Sequence, residues 1–64
     1  MKVKQYYFRI YYRQSGSSQI FVHESYPYPS AAYRNSMLKR CIKVHLSDGC
    51  EIFDTVKSTK SVVL

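Results

Sequence analysis

Acidic residues are scarce in this chain. Glu24, Asp48, Glu51 and Asp54 are the only carboxylate side chains, against ten lysines and arginines. Glu51 and Asp54 are expected on opposite sides of a regular strand, so a carboxylate pair of the kind a metal-dependent nuclease uses is not expected. Cysteine is nearly as rare. Cys41 and Cys50 are too few for a disulfide framework, and a cytosolic chain keeps both reduced. With His45 between them the spacing is C-x3-H-x4-C, with His23 further off, which is not a zinc-binding pattern. No metal or other cofactor is expected.

Long apolar runs are missing. Arg9 interrupts the only candidate, and no stretch approaches the roughly 20 apolar residues that span a bilayer. Lys2 and Lys4 could open a secretory signal, but no small-residue cleavage site follows. The expectation is a cytoplasmic protein with no membrane partner and, since it opens on Met1 without a tag, a complete short gene product. Catalytic motifs are absent as well. Cys50, His45 and Asp54 can be named as nucleophile, base and orienting acid, but adjacency on a hairpin supplies neither an oxyanion hole nor a cleft. The chain reads as a non-enzyme.

What the sequence does contain is aromatic residues and positive charge. Seven tyrosines and three phenylalanines share 64 residues with a net charge of +6. The charge favours nucleic acid, anionic lipid or an acidic protein surface. A chain this short buries only about 60% of its unfolded surface, so a partner or second subunit would help to stabilise it.

Residues 3–13 alternate, with Tyr6, Phe8, Ile10 and Tyr12 on one side and Val3, Gln5, Tyr7, Arg9, Tyr11 and Arg13 on the other. That period of two predicts a strand. The polar turn SGSS (15–18) leads into QIFVHE, a second strand in which Ile20 and Val22 alternate with Phe21 and His23. SYPYPS (25–30) ends the hairpin, because Pro27 and Pro29 cannot donate to a ladder. Ser30 is a suitable N-cap for a helix from Ala31 to about Arg40, with Tyr33, Met37, Leu38 and Cys41 in one stripe. CIKVHL and CEIFDTV then flank SDG as a second hairpin, with Gly49 in its turn. Residues 58–64 are expected to fray.

The predicted fold is α+β: a small twisted antiparallel sheet of β-β-α-β-β order, with one short helix packed on one face. Residues 1–57 form a single compact domain. The core joins Tyr6, Phe8, Ile10, Tyr12, Ile20, Val22, Ile42, Val44, Leu46 and Ile52 to Tyr33, Met37 and Leu38 of the helix.

This assignment leaves Tyr7, Arg9, Tyr11 and Arg13 pointing outward, joined by Phe21 and His23 from the second strand and by Lys43 from the third. Rings interleaved with cations on an open sheet suit single-stranded nucleic acid, whose bases stack while arginine and lysine meet phosphate. The predicted roles are stacking for Tyr7, Tyr11 and Phe21, and phosphate contact for Arg9, Arg13 and Lys43. Tyrosine and arginine are equally at home in protein interfaces. The alternative is therefore a protein-interaction module using the same face, either an inhibitor of a larger enzyme or a homodimer. In a further variant, Arg34, Lys39 and Arg40 of the helix lie along a groove of duplex DNA. A small, basic, motif-free chain of this kind fits an accessory factor.

Overall fold

The computed structural model describes all 64 residues. Three strands and one helix follow in the order β1 (Lys2–Arg13), β2 (Ile20–Glu24), α1 (Ala31–Ser47) and β3 (Glu51–Val63). The strands form one antiparallel sheet of order β2-β1-β3, and the helix covers one side of it. The protein is thus α+β with an antiparallel sheet and a single helix, as expected, but it has three strands where four were predicted.

β1 is the centre of the sheet because its aromatic and β-branched residues suit the pleated backbone on both sides. Gly16 turns the chain back towards β2 with φ of 82°, a left-handed conformation that a side chain would oppose. The resulting register places Tyr12 opposite Phe21 and Ile10 opposite His23. After β2 ends, the proline-rich segment continues alongside β1. Tyr28 and Tyr6 exchange backbone hydrogen bonds, the Ser25 amide donates to the Phe8 carbonyl, and the Ser25 hydroxyl accepts from the Phe8 amide. The Tyr28 ring stacks on Phe8, with centroids 6.0 Å apart.

The helix begins as predicted, with the Ser30 hydroxyl accepting from the Tyr33 amide at 3.1 Å. It does not stop near Arg40. Residues 41–46, predicted to be a strand, and Ser47 of the predicted turn continue it for two more turns. CIKVHL fits both periods, since its alternation suits a strand while Leu38, Cys41, Ile42 and His45 also make a helical stripe. The stripe prevails because it lies on the sheet. Gly49 then has a different task. Its amide donates to Leu46 and that of Cys50 to His45, a Schellman motif that closes the helix with Gly49 left-handed at φ of 80°.

The tail expected to fray is also ordered. Residues 58–63 complete β3, which pairs along the whole of β1 from Arg13–Glu51 to Lys2–Val63. A bulge at Phe53 shifts the register between Tyr11 and Tyr12, so Glu51 and Asp54, expected on opposite sides, lie on the same one beside Arg13 and Tyr11. Only four residues are buried: Phe8, Ile10, Leu38 and Arg34. Tyr12, Tyr28, Met37, Cys41, Ile42 and Ile52 pack around them. Ile20, Val22, Tyr33, Val44 and Leu46, all predicted to lie in the core, are exposed. Val44 and Leu46 of the predicted third strand moved with the helix extension, and β2 presents its aromatic side inward instead of its aliphatic one.

Candidate binding surface

Strand parity sets what each side of the sheet displays. Tyr7, Arg9, Tyr11 and Arg13 point away from the helix, as predicted from the alternation of β1. Phe21 and His23 do not join them. Their register partners, Tyr12 and Ile10, face the helix, so both rings lie on the covered side, and Ile20 and Val22 replace them on the open one. The driving contacts are aromatic. Phe21 stacks on Tyr12 with centroids 5.8 Å apart, and His23 meets the Phe8 ring edge-on at 5.8 Å. Lys43 belongs to the helix and is exposed on its outer side. Of the seven residues assigned to one surface, four share it.

Those four are engaged with neighbours. Arg9 Nε lies 3.1 Å from Glu24 Oε1 across the β1–β2 pair, and Arg13 pairs with Glu51 across β1–β3. The Tyr11 hydroxyl and then the Glu24 carboxylate hold the Arg9 guanidinium above its ordinary pKa. Arg13 also sits over the Phe53 ring at 5.5 Å, and Lys60 lies over Tyr7 at 5.0 Å. The Tyr7 hydroxyl donates to Gln5 Oε1 at 2.7 Å. Asp54, opposite Tyr11, adds a third carboxylate.

The charges therefore divide unevenly. On the open side Arg9, Arg13 and Lys60 face Glu24, Glu51 and Asp54, three against three. On the helix side Lys2, Lys4, Arg34, Lys39, Arg40, Lys43 and Lys57 stand against Asp48 alone. The whole net charge of +6 lies on the helix side, and no cation there pairs with a carboxylate.

Arg34 is a special case. It is buried, its guanidinium donates to the Ser58 carbonyl at 3.2 Å and to Asn35 Oδ1 at 3.1 Å, and it lies over the Tyr6 ring at 5.5 Å. It ties the helix to β3 and is unavailable as a groove contact. Lys39, Arg40 and Lys43 remain, exposed on the outer face of α1 together with Ser36.

Two histidines meet on the helix side. His23 Nδ1 and His45 Nε2 are 3.2 Å apart, and the His45 ring also lies against Tyr12, tilted by 32° with centroids 4.3 Å apart. Burial, then the neighbouring His23, lowers the His45 pKa below its ordinary value of 6.5. Cys41 lines the same cleft with Met37 and Arg40, and burial raises its thiol pKa. Nowhere do three His, Cys, Asp or Glu side chains converge as a metal site requires. Asp54 stands across the sheet from His45 and Cys50, so the nominated triad does not assemble. The helical spacing of Cys41 and His45 was the one signal that could have placed them together.

No family model matches the chain, and no curated protein or solved structure resembles it at a significant level. No helix is long and apolar enough to cross a membrane.

Proposed function

We propose that this protein is a non-enzymatic nucleic-acid-binding module that meets phosphate with the basic side of its helix. One observation carries the reading: six exposed cations, Lys2, Lys4, Lys39, Arg40, Lys43 and Lys57, lie on the helix side of the sheet with no carboxylate partner. Unpaired lysine and arginine side chains on a single surface are what a polyanion needs, since each phosphate neutralised releases condensed counterions. The outer face of α1 supplies Lys39, Arg40 and Lys43 within two turns, with Ser36 as a further donor. A helix of 17 residues is about 25 Å long at 1.5 Å per residue, enough to follow a duplex groove or its phosphate rim.

The geometry supports backbone contact more than base stacking. Phe21 no longer shares a platform with Tyr7 and Tyr11, and the arginines beside those rings already hold carboxylates. The single-stranded preference expected from the sheet loses its main support.

Fluorescence anisotropy with single- and double-stranded oligonucleotides at two ionic strengths tests the proposal. Three to four phosphates on a duplex predict a log–log salt slope of about −3 to −4. Lys39→Glu with Lys43→Glu should abolish the binding, while Tyr7→Ala with Tyr11→Ala leaves it in place. The reverse pattern returns the site to the sheet, and absence of binding at low salt ends the proposal.

A further inference from the structure

The open side of the sheet has properties that phosphate contact does not use. Ile20, Val22, Phe53 and Val56 are exposed there by 55%, 49%, 47% and 39%. Val22 flanks Tyr11 on one side and Asp54 on the other, Ile20 flanks Arg13, and Val56 flanks Arg9, so the apolar side chains gather around Tyr11 interleaved with charged ones. Exposed apolar side chains gathered on one open sheet face mark an interaction site.

We propose that this face packs against the same face of a second copy, forming a two-fold dimer with the helices outermost. The charge distribution selects the occupant. A two-fold approach through the helix side sets a surface carrying the full +6 against an identical one. The open side balances three cations with three carboxylates, interleaved across the strands. A two-fold axis brings a patch onto itself, so a patch of one charge sign repels its copy, and this one carries no net charge. Arg9–Glu24 and Arg13–Glu51 flank the apolar centre, where they can re-pair with the carboxylates and guanidiniums of the second copy.

Size agrees. At about 3.4 Å per residue and about 4.8 Å between strands, the sheet presents roughly 500 Å² of flat area per copy. Two such faces bury on the order of 1,000 Å² before side-chain corrugation is counted, enough for a specific interface of modest affinity. The pairing also stabilises a fold with only four buried residues, because two helix-backed sheets enclose a second apolar layer between them.

Sedimentation equilibrium of the intact chain, from roughly 5 to 500 μM to bracket a micromolar Kd, reads the outcome. The dimer mass should appear with rising concentration and change little between low and high salt, because the patch carries no net charge. Val22→Arg should weaken dimerisation at least tenfold with an unchanged circular dichroism spectrum. Ile20→Lys is the second variant, should the first fail to fold. Lys39→Glu with Lys43→Glu should leave the dimer intact while removing oligonucleotide binding, which separates this proposal from the previous one. A monomer at every concentration overturns the dimer and leaves the face to a different protein. A dimer untouched by Val22→Arg and Ile20→Lys also overturns it, because association then runs through a strand edge.

Discussion

The two sides of β1 are both rich in aromatic rings and opposite in circumstance. One carries Tyr6, Phe8, Ile10 and Tyr12, the other Tyr7, Arg9, Tyr11 and Arg13. On the first, Phe8 and Ile10 are 1% and 0% exposed beneath the helix. On the second, Arg9 is open to solvent and the tyrosines are half-buried by their strand neighbours alone. Aromatic content did not decide which side became the core. The arginines did, since their heads need water or a carboxylate, and Glu24 and Glu51 lie within reach across the adjacent strands. The lesson is that a β-strand aromatic on both sides is asymmetric through its charged members.

Breaking the covered side should have the largest effect. Phe8→Ala removes a ring packed against Tyr28 and His23 and should destabilise by about 3–5 kcal/mol, enough to unfold a domain this small in a urea titration. Arg34→Met keeps the bulk of the side chain but drops its bonds to Ser58 and Asn35. A loss of about 1–3 kcal/mol is expected, and Arg34→Lys should not recover it, having no planar fork to stack on Tyr6. Ser30→Ala removes the N-cap that starts the covering helix and should cost about 1 kcal/mol in the same titration.

Acid should loosen the covered side in a defined direction. The folded pKa of His45 lies below its unfolded value of 6.5, so the unfolded chain binds the proton more readily. The stabilisation from the neutral imidazole is complete above 6.5 and is lost as pH falls through the folded value, at no more than about 1.4 kcal/mol per pH unit. Melting temperature followed from pH 8 to 5 should show this decline, and His45→Gln should flatten it. A stability that rises on acidification would mean that the two histidines share a bound proton in the folded state.

The open side should yield least. Arg13→Ala breaks an exposed ion pair with Glu51 and should shift stability by no more than about 1 kcal/mol at low protein concentration. An effect as large as that of Phe8→Ala would show that the open side is covered in an obligate assembly and would erase the contrast between the two.

Much of this architecture was legible because it depends on neighbours along the chain. The alternation of residues 3–13 gave both the strand and its parity. Ser30 marked the helix start. Gly49 was recognised as a turn residue, although its hydrogen bonds close a helix and not a hairpin. The candidate surface was legible only in part. Tyr7, Arg9, Tyr11 and Arg13 share a strand, so their common side followed from one period of two. Phe21, His23 and Lys43 were placed by assuming how other elements would pair, and that assumption failed for all three.

Sequence alone determined the local features of this protein, for steric and periodic reasons: the central strand, its turn at Gly16, the capped start of the helix and the net charge of +6. Tertiary structure decided everything that needed a distant partner. Residues 41–47 became helix because their apolar stripe found the sheet, β2 turned its rings inward because Tyr12 and Phe8 were there to receive them, and residues 58–63 became strand because the far edge of β1 was free. From those three choices follows the segregation of charge, since a side chain's sign is written in the sequence while the surface on which it appears depends on the packing of the whole chain.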